Sequence, residues 1–139
     1  MFQAKVLVGG TAVGTALVLD EPLSLWGGLN PKTGEITDRR HPQSGEIVTG
    51  RVLVLPAGRG SSSASSILLE AVRAKTAPAA ILTLERDGIL ALGAAVAREM
   101  YGVSPPVVML SADDYGKICE NQQIRISART NTVILVSNL

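Results

Sequence analysis

Five serines stand within the six positions that follow a Gly-Arg-Gly sequence at residues 58–60. Glycines allow backbone conformations that other residues avoid, and serines at a helix start favour capping. The N–H groups and the dipole of a helix start attract anions, and Arg59 adds a permanent cation with fork geometry. Residues 58–63, which we call the serine turn, therefore predict a place where a carboxylate or phosphate binds beside hydroxyl groups.

The serine turn differs from the common phosphate and nucleophile motifs. It lacks the Gly-Lys-Ser/Thr ending of a P-loop and the third glycine of a dinucleotide fingerprint. Ser61 is not flanked by glycines as in a Gly-x-Ser-x-Gly elbow. The simplest alternative is an ordinary strand-to-helix turn with serine caps, and the density of serines beside Arg59 weighs against it.

The elements around the turn can be predicted from apolar spacing. An aliphatic run at residues 52–55 predicts a buried strand before it, and helical spacing predicts a helix after it. The apolar positions of that helix are Ile67, Leu68, Ala71 and Val72. A second helix is predicted from Ile89 to Met100, with apolar residues at Ile89, Leu92, Val96 and Met100. Further strands are predicted at residues 5–8, 15–19, 79–83, 107–110, 124–126 and 133–136. This order predicts an α/β fold in which two main helices cover a partly parallel sheet.

Residues 20–46 form a long polar connection without a clear period, and such loops are often functional. The connection contains Arg39, which we interpret as a solvated residue. An Asp38–His41–Ser61 triad fits the residue types, but nothing in the sequence brings His41 beside Ser61.

Composition excludes several classes of function. With 139 residues the chain is expected to form one domain over 1–139. The net charge is +1 and aromatic residues make up 3%, which predicts no nucleic-acid binding. No apolar run is long enough to span a bilayer, and the first residues lack a signal-peptide pattern. We therefore expect a cytoplasmic protein with no membrane contact.

The chain has a single cysteine, Cys119, and a single histidine, His41. One cysteine excludes an internal disulfide, and zinc and iron–sulfur sites usually take several such ligands. We predict no metal site and no bound cofactor in this chain, so that any metal would be held by a partner chain. Cys119 itself is expected to be a small buried hydrophobic residue.

Nine stretches of the chain, in order, resemble the small subunit, or swivelling domain, of the aconitase X family. They are residues 12–18, 21–28, 31–34, 40–42, 45–46, 50–56, 58–62, 77–81 and 89–93. The resemblance implies a swivelling β/β/α domain, with a partly parallel sheet or half-barrel, that caps the active site of a separate large subunit. It also implies dehydration of a small anionic hydroxy acid, with the iron or iron–sulfur centre on the large subunit.

The resemblance assigns functions to individual residues. The small domain of the superfamily contributes a serine from a Gly-x-Gly-Ser-Ser turn, which makes Ser61 the inherited catalytic base. The predicted substrate-binding residues are Arg59, Gly60, Ser62, Ser63, Arg40 and His41. Helix capping is an equal alternative for Ser62 and Ser63. Trp26 is interpreted as a packing anchor at the subunit seam.

The substrate has two candidates within the family. Residues 85–93 and 97–102 resemble the bacterial type more, which favours cis-3-hydroxy-L-proline. The alternative is the archaeal type, which dehydrates mevalonate 5-phosphate. A different class of function is a non-catalytic anion-binding module or a phosphohistidine carrier, which would need His41 on an exposed turn.

Overall fold

A computed structural model describes residues 2–59, 62–129 and 132–138, in which nine strands and four helices occur. The strands are β1 (Phe2–Val8), β2 (Gly10–Val18), β3 (Leu29–Asn30), β4 (Glu35–Ile36), β5 (Val52–Leu55), β6 (Ala80–Thr83), β7 (Val107–Leu110), β8 (Gln123–Arg129) and β9 (Thr132–Asn138). The helices are α1 (Leu25–Gly28), α2 (Ser63–Arg73), α3 (Gly88–Tyr101) and α4 (Ala112–Tyr115). Each predicted aliphatic run lies on a strand, because β-branched side chains favour extended backbone.

Seven strands form one sheet that closes into a barrel in the order β1-β7-β6-β5-β2-β8-β9. The neighbours β2, β5, β6 and β7 run parallel to one another. Helix α2 joins β5 to β6 and α3 joins β6 to β7, which are the crossovers that parallel neighbours require. The remaining pairs, β1 with β7 and β9, and β8 with β2 and β9, are antiparallel. The prediction of an α/β fold with a partly parallel sheet and two main helices is confirmed.

Strands β5 and β6 are buried on both faces and divide the core into two clusters. Leu53 and Leu55 point to the helix side, where they join Leu68 of α2 and Ala94 of α3. Their neighbours along β5 point to the barrel interior and pack with residues of β8. This alternation follows from the two-residue period of a strand and explains why the run at 52–55 is apolar throughout.

Helix α2 buries the face that its apolar spacing predicts, whereas α3 does not. The buried residues of α2 are Ala64, Leu68, Ala71 and Val72. Those of α3 are Leu90, Gly93, Ala94 and Ala97. Leu90 is the one large apolar side chain among these buried residues, whereas Leu92 and Met100 point outward and are 56% and 60% exposed. A Cβ at Gly93 would lie 2.8 Å from the carbonyl oxygen of Ser65, so small residues allow the two helices to approach closely.

The long connection at residues 20–46 is folded against the core. Leu23, Leu25, Leu29 and Ile36 are buried in the cluster beneath the helices. Strands β3 and β4 pair antiparallel, and the side-chain amide of Gln43 donates to Asp20 Oδ2 at 2.9 Å. The connection therefore holds its polar residues in fixed positions beside the end of β5.

Candidate active site

The candidate site lies where three parallel strands end. Strands β2, β5 and β6 are neighbours, so their carboxyl ends meet at one edge of the barrel. The connection after β2 carries the arginine and histidine candidates, the one after β5 carries the serine turn, and the one after β6 carries residues 84–87. The topology thus explains why residues from three separate parts of the sequence come together.

The first part of the serine turn is fixed to the connection after β2. Leu23 and Gly58 form a parallel bridge, in which the Arg59 N–H donates to the Leu23 carbonyl at 3.1 Å. Gly60 and Ser61 lie outside the described residues. The assignments of Ser61 as base and Gly60 as a substrate contact stay predictions.

Asp87, which the sequence analysis did not select, contacts the serine turn directly. Its Oδ2 accepts the N–H of Gly58 at 3.0 Å. Its Oδ1 accepts the N–H groups of Ile89 and Leu90 at 3.0 and 2.9 Å, which caps α3. The capping function could have been predicted, because an aspartate before a Gly-Ile-Leu sequence is a recognisable N-cap signal. The bond to Gly58 could not, because it depends on which strands are neighbours in the sheet.

Ser62 and Ser63 stand at the beginning of α2. Ser62 occupies the N-cap position but makes no side-chain capping bond, and its residue is exposed. Its carbonyl instead accepts the hydroxyl of Ser65 at 2.7 Å. The geometry does not give Ser62 the capping function that was its alternative, so substrate contact stays the prediction for Ser62. For Ser63 both substrate contact and capping stay predictions.

Arg59 lines two depressions in the surface. One, the α3 cavity, has a volume of about 220 Å³ and is lined by Leu23, Leu25, Gly58, Arg59, Ala64, Arg86, Asp87, Gly88, Ile89 and Leu90. The other, the arginine cleft, has a volume of about 580 Å³ and is lined by Glu21, Pro22, Gly27, Thr37, Asp38, Arg39, Arg40, His41 and Arg59. Three arginines and two acidic residues, Glu21 and Asp38, line this cleft, so its lining has a net positive charge that favours an anion. Arg39, interpreted from the sequence as solvated, is exposed and borders the cleft.

His41 borders the arginine cleft but is only 5% exposed. Its Nδ1 lies 3.0 Å from the N–H of Gln43 and must accept from it. The hydrogen is then on Nε2, which donates to the Glu21 carbonyl at 3.0 Å. Both ring nitrogens therefore hydrogen-bond to backbone groups. Asp38 is not the hydrogen-bond partner of either ring nitrogen, and its Oδ1 accepts the N–H of Arg40 at 3.0 Å. The bonds of a catalytic triad are not formed by His41 and Asp38, and substrate binding by Arg40 and His41 stays a prediction.

The described residues contain neither a cluster of metal-ligand side chains nor a membrane-spanning helix. No group of three or more His, Cys, Asp or Glu side chains in the described part of the chain could hold a metal ion. Cys119 is exposed, contrary to the expectation of burial, because it lies in the turn between α4 and β8. Among the described residues no helix is both long and apolar enough to cross a membrane.

The fold and the site define an α/β domain with a positively charged cleft beside a serine turn. Residues 1–136 match the family model of the aconitase X swivel domain, and the chain belongs to this family. It is similar over 97% of its length to the solved structure of aconitase X (holo-form) from Thermococcus kodakaraensis, with 30% identity, 97% of that chain covered and a TM-score of 0.85.

Two kinds of relatives share this domain. The cis-3-hydroxy-L-proline dehydratase of Pseudomonas aeruginosa is 50% identical over 106 residues, which are 76% of this chain and 18% of that protein. The phosphomevalonate dehydratase small subunit of Methanothermobacter thermautotrophicus is 36% identical over 126 residues, which are 91% of this chain and 92% of that protein. The chain thus matches about a fifth of the length of the cis-3-hydroxy-L-proline dehydratases (18% and 22%).

Proposed function

We propose that this chain is the small, swivelling part of a dehydratase that removes water from a small anionic hydroxy acid. In this proposal Ser61 takes the proton from the carbon next to the substrate carboxylate, and Arg59 binds that carboxylate. The observation that carries the proposal is the arginine cleft, where Arg39, Arg40 and Arg59 border one depression beside the serine turn.

A serine hydroxyl is a poor base, so its anionic form must be stabilised by positive potential. The Arg59 guanidinium and the N-terminal end of α2 supply that potential at the serine turn. Loss of hydroxide from the substrate requires a Lewis acid, which a metal ion supplies when it is bound. The described residues do not fit a metal site, and we assign the iron or iron–sulfur centre to the partner.

The partner in this proposal is a large subunit, or the equivalent part of a longer chain, that closes the cleft. Trp26 is 61% exposed and does not pack into the core of this chain. Its neighbour Gly27 borders the arginine cleft, and Ile89, which precedes the exposed Leu92 on α3, borders the α3 cavity. Exposed apolar side chains on both sides of the site favour a partner that covers it.

We favour cis-3-hydroxy-L-proline as the substrate because of the 50% identity to the dehydratase of Pseudomonas aeruginosa. Mevalonate 5-phosphate is the second candidate. It is favoured by the match over 92% of the length of the phosphomevalonate dehydratase small subunit. Both are anions that the arginine cleft could bind.

The phosphohistidine alternative loses its support from the geometry of His41. A phosphate carrier needs an accessible ring nitrogen, and both nitrogens of His41 hydrogen-bond to backbone within a buried ring. The remaining alternative is a module that binds an anion without catalysis. It would be favoured if the chain and its partner, tested below, dehydrate neither substrate.

The test is to co-express the chain with its large partner, measure iron in the purified pair and assay dehydration of both substrates. We expect turnover of cis-3-hydroxy-L-proline by the pair and by neither part alone. Stoichiometric iron in this chain purified alone would contradict the assignment of the metal to the partner. A pair that dehydrates neither substrate would contradict the proposed function.

The base assignment is tested by Ser61→Ala in the active pair. Loss of a catalytic base lowers the rate by a factor of about 10²–10⁴, while a polar turn tolerates the change with little loss of stability. Ser66→Ala, the same substitution at an exposed position of α2, is the matched control and should leave turnover unchanged. Normal turnover of Ser61→Ala would move the base to another residue.

A further inference from the structure

One carboxylate, that of Asp87, links the segments that follow β5 and β6. Asp87 follows β6, and Gly58 follows β5 on the neighbouring parallel strand. Oδ2 of Asp87 accepts the Gly58 N–H, while Oδ1 accepts two N–H groups from the first turn of α3. One side chain thus joins the first residue of the serine turn to the helix that begins next to it.

The contact also explains the residue type at position 58. A Cβ built on Gly58 would overlap Oδ2 of Asp87. The backbone φ of Gly58 is not positive. Glycine at position 58 thus leaves space for the carboxylate and does not serve an unusual backbone conformation. The carboxylate can approach the backbone N–H only because no side chain stands in between.

We propose that Asp87 is a positioning residue, which fixes the serine turn against α3 so that Ser61 and Arg59 face the substrate. The effect on turnover rests on the proposed function, while the effect on the turn itself does not. Asp87 lines the α3 cavity, but we assign it no contact with the substrate.

An aspartate is needed because both of its oxygens accept hydrogen bonds. Asparagine has one oxygen and one NH₂ group, which only donates. In Asp87→Asn the oxygen can cap α3 as well as an aspartate does. The NH₂ group then faces the N–H of Gly58, and two donors cannot bond to each other. Asp87→Asn consequently breaks the link to the turn and keeps the helix cap.

Amide hydrogen exchange of the purified chain tests the link without any assay of activity. We expect the Gly58 N–H to exchange about tenfold faster or more in Asp87→Asn, with Leu68 and Leu82 in the core unchanged. Asp87→Ser should give the same result, because serine also caps the start of α3 but has a single oxygen. It replaces Asp87→Asn in the experiment if that variant does not fold. Unchanged exchange at Gly58 in a folded variant would overturn the proposal.

Turnover of the co-expressed pair tests the consequence for catalysis. We expect kcat of Asp87→Asn to fall about 10- to 100-fold with little change in KM, because a small misplacement of reacting groups has this cost. If Asp87 acted only through its negative charge, the variant would bind the anionic substrate more tightly and keep kcat, which would overturn the proposal.

Ser111→Ala is the matched control, because Ser111 accepts the N–H of Asp114 at the start of α4 and lies outside both depressions. It should keep the kcat and KM of the unmodified pair. An equal loss of kcat in Ser111→Ala would show that the loss is not specific to the link between Asp87 and Gly58, which would overturn the proposal. If the unmodified pair dehydrates neither substrate, the proposed function fails, and the exchange of Gly58 alone decides whether Asp87 positions the turn.

Discussion

Helices α2 and α3 pack side by side on the same sheet, yet they differ in where most of their predicted apolar residues lie. On α2, Leu68 is fully buried in the core, and the partly buried Ile67 packs against it. In α3 the core face consists mainly of small residues, while Leu92 and Met100 are exposed. Apolar spacing therefore predicts which face of a helix is apolar, but not whether the core of this chain or a partner protein buries that face.

The outward faces of the two helices differ as well. On α2 the Arg73 guanidinium forms an ion pair with Glu70 one turn away, and Arg73 is exposed. On α3 the outward face carries the exposed apolar Leu92 and Met100 together with the charged Arg98 and Glu99. A charged face suits water, whereas large exposed apolar side chains favour a protein partner.

The largest effect that separates the two helices is expected from truncation of one leucine on each. Leu68→Ala should lower the free energy of unfolding by about 2–5 kcal/mol, because it leaves a cavity in the core. Leu92→Ala should change it by less than about 0.5 kcal/mol, because more than half of the residue is already exposed (56%). Denaturant unfolding of the isolated chain measures both values.

The same two variants can be compared in the co-expressed pair by size-exclusion chromatography. Leu92→Ala should weaken assembly although the isolated chain keeps its stability. Undiminished assembly of Leu92→Ala, together with a large loss of stability in the isolated chain, would mean that the outward face of α3 is covered within this chain.

A smaller effect on stability is expected from adding one methyl group to α3, with opposite signs at two positions. Gly93→Ala should cost about 1–3 kcal/mol, because the new Cβ would lie 2.8 Å from a backbone oxygen of α2. Gly88→Ala is the matched control, since no atom lies within 4 Å of its Cβ position. It should raise stability by about 0.4–1 kcal/mol by restricting the unfolded chain. Thermal unfolding that moves both variants in the same direction would contradict the close approach of α2 and α3.

The smallest effect concerns the charged face of α2. Hydrogen bonds from the Arg73 guanidinium lower the pKa of the Glu70 carboxyl from its ordinary value of 4.5. A lowered pKa contributes stability that is complete above the ordinary value and is lost as the pH falls through the lowered one. Glu70→Gln should therefore lower the melting temperature slightly near neutral pH and not at about pH 2.

Glu99→Gln on α3 is the control for Glu70→Gln, since no ion pair of Glu99 occurs among the described residues. It should show no such loss at neutral pH. If the deficit of Glu70→Gln were the same at both pH values, it would come from packing and not from the ion pair.

Local patterns predicted the seven strands of the barrel and the two main helices, while anion binding by Arg59 stays a prediction. The aliphatic run at 52–55 and the glycines and serines after it carry that information within a dozen residues. The contact of Asp87 with Gly58 could not be predicted, because it requires that β5 and β6 be parallel neighbours. The outward face of α3 escaped prediction because Gly93 and Ala94, which set the helix rotation, look less apolar than Leu92.

The fit of Asp87 against Gly58 also constrains the order in which the two positions can change during evolution or engineering. A side chain introduced at position 58 while Asp87 is present displaces the carboxylate from its hydrogen bonds, so this first step is costly. A smaller residue at position 87 opens the space, after which position 58 can accept a side chain. The two substitutions are therefore expected to be non-additive, and the path through position 87 first is the less costly one.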